Sequence, residues 1–342
     1  MADIVLGMWT THGPTLSTTP EEWLLRLPAD RSNRQHHFRG ATYGFDELVE
    51  LRKDEGFEQK SSLEERTRRH AACRVAVDRM ADIFADAKPD VVVIFGNDQN
   101  ELFTQALMPA FTMFNGPTIW NEPSTPAQVL LHPPGIHAAE AGHKPPVYTE
   151  YPGHPALANH LIGNLVGEGF DITRANVLPR HEGHWHSGIG HAFGFVYRQI
   201  MRDKVVPNVP IVTNTFFPPN QPTARRCFEL GRAVAGAIAR WDSDARVAII
   251  GSGGMSHFVI DEALDHKVMD ALQARDEKTL VDIPENLLQS GSSELKNWIG
   301  AAGALFQTRL SGEVVDYQPC YRSNAGTGTA NGFVAWPTPQ TQ

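Results

Sequence analysis

Cysteine is scarce in this chain. Only three occur among 342 residues, Cys73, Cys227 and Cys320, and they are far apart, with no C-x-x-C pair. We therefore expect neither a framework of disulfides nor a zinc ribbon. Unpaired thiols are typical of a reducing compartment, so the sequence predicts a cytoplasmic protein.

Long apolar runs and clusters of basic residues are also missing. No stretch approaches the ~18 apolar residues of a membrane span, and the first nine residues lack the basic segment of a signal peptide. The net charge is −9, and no run rich in Lys or Arg occurs. We therefore expect no membrane segment and no nucleic-acid partner.

Several common catalytic motifs are absent as well. Ser252 follows a glycine, but the surrounding residues do not form the Gly-x-Ser-x-Gly frame of a serine hydrolase. The glycine-rich run 251–254 lacks both the order of a dinucleotide-binding loop and the lysine of a P-loop. These absences argue against a serine hydrolase and against nucleotide binding.

Apolar runs of strand length alternate with stretches whose apolar spacing favours helices. Strands are predicted at 3–9, 90–96, 171–178, 209–214 and 246–251, and helices at 63–87 and 223–240. This alternation predicts an α/β fold with a central, mostly parallel sheet flanked by helices. We expect one catalytic domain over residues 1–342.

Sites in open α/β sheets form beyond the carboxyl ends of the strands. Four polar loops occupy that position, at 10–14, 96–101, 181–191 and 252–257. Two further segments, near 15–62 and 115–150, are too long for simple connections, so we predict inserted lids or interface arms there. Such arms would be consistent with a homo-oligomer, most simply a dimer.

Histidine is abundant, with 15 in the chain. His12 follows the first strand and is either a metal ligand at the mouth of the sheet or a loop residue bonded to backbone. His257 closes the glycine-rich loop, where an imidazole could serve as donor or acid/base. Four more histidines lie between 181 and 191, and at least two of them are expected to be solvated.

Glu294 allows two interpretations. It begins an apolar stretch just after Ser292 and Ser293, so it could stabilise the first turn of a helix that one of these serines caps. Alternatively, it is the carboxylate of a metal site.

Taken in order along the chain, the strand-end loops resemble those of the LigB-type (class III) extradiol ring-cleaving dioxygenases, in particular the gallate, 3-O-methylgallate and protocatechuate 4,5-dioxygenase group. The matching segments are 11–12, 96–98, 151–155, 186–195, 214–219, 226–228, 253–257, 290–294 and 320–323.

This resemblance implies Fe(II) held by two histidines and one glutamate, with open positions for an aromatic diol and O2. His12 would be the first histidine ligand and Glu294 the carboxylate. His257 would be the acid/base, and His186 would line the pocket and bind substrate.

The substrate of such enzymes carries a carboxylate. Arg322, together with Ser323 and Asn324, is the predicted partner, because arginine binds carboxylates in a bidentate manner. The alternative for Arg322 is a surface salt bridge.

The chain departs from the family where the second histidine ligand belongs. The loop after the second strand reads 97-NDQNE-101, so Asn100, or Gln99 under a different gap placement, stands at that position. An amide is a weaker ligand than imidazole. Three alternatives remain open. The amide binds iron, His36 or His37 replaces the missing histidine ligand, or the site holds no iron.

Three functional hypotheses follow. The first is Fe(II)-dependent extradiol cleavage of a gallate-like or protocatechuate-like acid. The second is a binding or scaffold protein without iron, motivated by the missing histidine. The third is a metal-dependent hydrolase that activates water.

Overall fold

Thirteen strands and eleven α-helices are formed by residues 2–338, which are the residues that the computed structural model describes. The strands are β1 (Asp3–Thr10), β2 (His36–Phe38), β3 (Ala41–Tyr43), β4 (Val91–Asn97), β5 (Phe111–Phe114), β6 (Thr118–Asn121), β7 (Thr149–Pro152), β8 (Thr173–Ala175), β9 (Asn208–Thr213), β10 (Arg246–Ser252), β11 (His257–Val259), β12 (Glu313–Tyr321) and β13 (Thr327–Pro337). The helices are α1 (Leu27–Ser32), α2 (Phe45–Leu51), α3 (Phe57–Lys60), α4 (Leu63–Ala87), α5 (Pro126–Val129), α6 (Pro155–Gly167), α7 (His191–Phe195), α8 (Ala224–Ala239), α9 (Glu262–Ala274), α10 (Glu277–Val281) and α11 (Leu295–Leu305).

Nine of these strands form the central sheet, in the order β11-β13-β1-β10-β4-β9-β5-β8, with β12 paired to β13. The middle strands β1, β10, β4 and β9 are parallel to one another. The α/β prediction, with a mostly parallel sheet flanked by helices, is confirmed. Beyond this parallel centre, β13 runs antiparallel to β1 and β5 antiparallel to β9.

The continuous apolar run of β4 reflects burial on both faces of the sheet. Val91, Val93 and Phe95 pack into one hydrophobic cluster together with residues of α8 and α11. Val92 and Ile94 pack into a second cluster with residues of α4 and α7. The sheet therefore lies between two helical layers.

The four parallel strands end at the same edge of the sheet. Thr10, Asn97, Thr213 and Ser252 are their last residues, and all four are buried. The segments after β1, β4 and β10 therefore converge on one region. No helix within residues 2–338 is long and apolar enough to cross a membrane.

The two long segments contain short elements of their own. Residues 15–62 include α1 to α3 and the β2–β3 hairpin, while residues 115–150 include β6, α5 and a 3-10 turn at His137–Gly142. Both segments contribute side chains to the cavity described next.

Candidate metal centre and active site

A cavity of about 230 Å³ opens at the carboxyl edge of the parallel strands. Its walls come from the segment after β1, from the loop after β4, from residues beside β10 and from both long segments. His12, His191, His257 and Glu294 all face it. Such a concave site, with a few converging polar groups, is typical of a small-molecule site.

His12 and Glu294 form the centre of this arrangement. His12 Nε2 lies 3.0 Å from Glu294 Oε2, and both side chains are 3% exposed. The Ser252 hydroxyl donates to the carbonyl of Ala192 at 2.6 Å, so it accepts from His12 Nδ1 at 3.0 Å. Nδ1 therefore carries a proton, and in the neutral imidazole this leaves Nε2 with a lone pair that faces the carboxylate.

Two lone-pair atoms that face each other in a buried site require a cation between them. Protonation of His12 would also satisfy the pair. However, burial lowers the pKa of His12, although Glu294 raises it in part. In its neutral form, His12 together with the Glu294 carboxylate presents the donor set of a metal site.

Glu294 is held as a carboxylate by its surroundings. Its Oε1 accepts from the amides of Asn97 and Gln99, each at 3.1 Å, and its Oε2 accepts from the backbone N–H of Gly254 at 2.7 Å. These three donors favour the ionised form of the side chain. Glu294 is the N-cap residue of α11, but its side chain makes no capping hydrogen bond to that helix.

His257 faces the same carboxylate from the glycine-rich loop after β10. Its Nδ1 donates to the Met255 carbonyl at 2.7 Å, and its Nε2 lies 3.6 Å from Glu294 Oε1. Gly254 and Gly291 enclose the ring so closely that a Cβ on either would overlap it. The ring is therefore fixed with Nε2 toward the cavity.

His191 is the third histidine at the centre. Its Nδ1 donates to Glu101 Oε1 at 2.8 Å, its backbone N–H donates to the same oxygen at 2.9 Å, and its ring packs edge-on against His12 at 4.5 Å between centroids. Burial lowers the pKa of His191, but the Glu101 carboxylate outweighs this effect and raises it to about 9. Glu101, which the sequence did not single out, thus orients His191.

His186 lies behind this group rather than on the cavity wall. Its Nε2 donates to the Ile189 carbonyl at 3.2 Å, and its Nδ1 lies 3.8 Å from Glu101. Burial lowers the pKa of His186 to about 4. Of the histidines between 181 and 191, the structure brings His191 to the cavity.

The two amides at the expected ligand position lie in different surroundings. Gln99 lines the cavity, and its amide nitrogen donates to Glu294. Asn100 adopts a left-handed backbone with φ 61°, and its carbonyl accepts from His184. His36 is bonded through Nε2 to the Asp30 carbonyl, and neither it nor His37 lines the cavity.

Arg322 lies on the cavity wall but is already paired. Its Nε and Nη2 donate to the two carboxylate oxygens of Asp30 at 2.6 and 2.8 Å, and both side chains are buried. Ser323 binds Thr327, and Asn324 is exposed. The pair is buried, so Arg322 forms no surface salt bridge.

A second arginine, Arg26, shares this wall. Burial, reinforced by the charge of Arg322 and partly opposed by Asp30, lowers the pKa of Arg26 to about 10. Asp30 is ion-paired with Arg322 and not with Arg26. No local pattern marks Arg26 in the sequence, because it lies in one of the long segments.

Within residues 2–338, two groups of His and Glu bring three possible ligand atoms within 4.8 Å of one another. The first is His12, His191 and Glu294. The second, His132, His137 and Glu140, belongs to the 115–150 segment and includes the exposed His137.

Comparisons with known proteins identify the family of the chain. Residues 74–331 match the family described as the catalytic LigB subunit of aromatic ring-opening dioxygenase. A gallate dioxygenase of Pseudomonas putida is 31% identical over 171 residues, which cover 48% of this chain and 46% of that protein. A 2,3-dihydroxyphenylpropionate/2,3-dihydroxicinnamic acid 1,2-dioxygenase of Photorhabdus laumondii is 28% identical over 197 residues, 56% of this chain and 50% of that protein.

The chain thus spans about half the length of the curated relatives it matches. Among solved structures, the uncharacterized protein JW3007 from Escherichia coli K12 superposes with a TM-score of 0.46 at 13% identity, over 97% of this chain and 99% of that one. Because the family match covers most of the sequence, the chain belongs to the LigB family of aromatic ring-opening dioxygenases.

Proposed function

We propose that this chain is an Fe(II)-dependent dioxygenase that opens the ring of a catecholic aromatic acid beside its two vicinal hydroxyls, using O2. The observation that carries the proposal is the buried pair of His12 Nε2 and Glu294 Oε2 at 3.0 Å, with His12 Nδ1 bonded to the Ser252 hydroxyl. Family membership supplies the reaction class.

The residues present fit a divalent cation. An imidazole nitrogen and a carboxylate oxygen are ligands that non-heme iron accepts, and both are already oriented by protein partners. Bound Fe(II) would supply Lewis acidity toward the diol hydroxyls and one-electron chemistry toward O2.

His257 would act as the acid/base. Its Nδ1 keeps its proton on the Met255 carbonyl, so Nε2 is the nitrogen that can accept a proton. In the proposed role, Nε2 takes a proton from a substrate hydroxyl and later returns it to an oxygen of the opened ring. The glycines around the ring hold this nitrogen in place.

Arg26 is the residue that we propose binds the substrate carboxylate. Arg322 is satisfied by Asp30, whereas the guanidinium of Arg26 donates to the Pro134 carbonyl at 2.7 Å, with no carboxylate within 4.0 Å among the described residues. A cation without an anionic partner on the wall of a cavity favours a negatively charged ligand.

Arg26→Met should raise KM for 3,4-dihydroxybenzoate by about 10- to 100-fold, because a charge-assisted hydrogen bond contributes roughly 1.5–3 kcal/mol. KM for catechol, which has no carboxylate, should be nearly unchanged. Steady-state kinetics with both substrates measure this, and Arg31→Met on the exposed side of α1 is the matched control. An equal change for both substrates would contradict a role in carboxylate binding.

The proposed activity is tested by loading the protein with Fe(II) without oxygen and then supplying O2 with a panel of dihydroxybenzoates and trihydroxybenzoates. We expect one molecule of O2 consumed for each ring opened. A monohydroxybenzoate, which has no vicinal diol, should consume none. If the protein holds stoichiometric iron yet turns over no diol, the proposal is wrong; if it holds no iron, the scaffold hypothesis is favoured.

A further inference from the structure

We propose that His191 supplies the third protein ligand of the metal centre, so that α7 provides the histidine that the loop after β4 lacks. This inference rests on the proposed function, because it assumes that His12 and Glu294 hold a divalent cation. It assigns the ligand role to neither Gln99 nor Asn100, and it gives Glu101 a positioning role.

The first support is the convergence of three ligand atoms. One atom each from His12, His191 and Glu294 lies within 4.8 Å of the others. Two histidines and one carboxylate on one side of an ion form the set that leaves open positions for diol and O2. His191 reaches this position because it is the first residue of α7, directly after Gly190.

The second support is the orientation of the imidazole. Glu101 Oε1 receives both the Nδ1–H and the backbone N–H of His191, so the ring is fixed at two points. The nitrogen left for a metal is Nε2. A carboxylate that binds the far nitrogen of a histidine is the arrangement that orients metal-binding histidines in many sites.

The third support is the charge of the buried site. The Glu101 and Glu294 side chains are only 1% and 3% exposed. In the part of the chain that the structure describes, their ion-pair partners within 4.0 Å are all histidines, with no lysine or arginine among them. Two buried carboxylates require compensation, and a divalent cation that replaces the protons on these imidazoles supplies it.

The two amides have other roles. Gln99 donates its amide N–H to Glu294, as Asn97 does, so it stabilises the carboxylate rather than offering an oxygen to the cation. Asn100 is absent from the cavity wall. His257 lies 3.6 Å from Glu294 and is not part of the three-atom group, so it stays available for proton transfer.

The test compares Fe(II) affinity in His191→Ala and Gln99→Ala, measured anaerobically by competition with a chelator. We expect His191→Ala to weaken binding by at least about 100-fold, and Gln99→Ala by no more than about tenfold. If His191→Ala retains its Fe(II) affinity and Gln99→Ala loses it, the inference is overturned and Gln99 is the third ligand instead.

X-ray absorption on the iron-loaded, unaltered protein gives a result that does not depend on any variant folding. Two imidazoles bound to iron support the inference, and one overturns it. If the unaltered protein binds iron and opens diols with a single imidazole ligand, the inference fails while the proposed function stands. If it binds no iron, the proposed function fails first.

Glu101→Gln tests the positioning role. We expect it to weaken Fe(II) binding by about 10- to 100-fold while X-ray absorption still shows two imidazoles. A purely structural role of Glu101 would lower the unfolding temperature of the metal-free protein and leave Fe(II) affinity of the folded fraction unchanged, which would contradict positioning.

Discussion

Glu294→Gln should abolish Fe(II) binding at micromolar concentrations and lower kcat/KM for ring cleavage by at least about 1,000-fold. The substitution keeps the shape of the side chain but removes its charge. It also places an amide N–H among donors, because Asn97, Gln99 and Gly254 all donate to this carboxylate. The cation would lose its anionic ligand, and one of the two accepting oxygens would be replaced by a donor.

Elemental analysis after anaerobic loading measures the metal, and O2 uptake measures the activity. Glu313→Gln, at an exposed carboxylate at the start of β12, is the control and should retain both. Circular dichroism checks that each variant folds. A folded Glu294→Gln protein with full iron occupancy would exclude Glu294 as a ligand.

Asp30→Ala should lower the free energy of unfolding by about 3–5 kcal/mol, because it leaves the buried Arg322 guanidinium without its partner. Asp30 accepts two bonds from Arg322, which lines the cavity, and one from the Thr327 hydroxyl. Its charge also acts on Arg26, so the two guanidinium groups would then repel each other without compensation.

Urea unfolding of the metal-free protein measures this loss. The double variant Asp30→Leu with Arg322→Met is the informative control, since apolar groups of similar size often replace a buried ion pair at little cost. We expect the double variant to recover most of the stability. If Asp30→Ala lowers the free energy of unfolding by less than about 1 kcal/mol, the Arg322 guanidinium is accessible to solvent and the ion pair is not buried.

The strand-end rule was sufficient to place most of the site. His12 and Glu294 are distant in sequence, but both lie at the same edge of the sheet. His12 follows β1 and Glu294 precedes α11, and their side chains are 3.0 Å apart. Burial on both faces made β4 and β10 readable as continuous apolar runs. The long helix α4 matches its predicted span.

The choice between His186 and His191 could not be made from spacing. The two histidines are five positions apart in one loop, and which ring reaches the cavity depends on the backbone between them. Gly188, with φ 87°, and the start of α7 after Gly190 turn His191 inward. Loop conformations of this kind have no periodic signal.

Long-range pairs and strands without an apolar run were also beyond sequence reasoning. Arg322 and Asp30 are 292 positions apart, and nothing local marks either as a partner of the other. The strand β13 is almost wholly buried, yet its first half contains Thr, Asn and Gly rather than an apolar run. Its pairing with β1 and β12 fixed it as a strand, and that is a tertiary effect.

The most direct test of the central claim is electron paramagnetic resonance of the Fe(II)-loaded protein with nitric oxide as a stand-in for O2. The account predicts the half-integer-spin signal of an iron–nitrosyl centre, altered when 3,4-dihydroxybenzoate is added, because diol and diatomic gas would occupy neighbouring open positions. Absence of the signal in protein that carries stoichiometric iron, or a signal that the diol leaves unchanged, would contradict a metal centre built on His12 and Glu294 for ring cleavage.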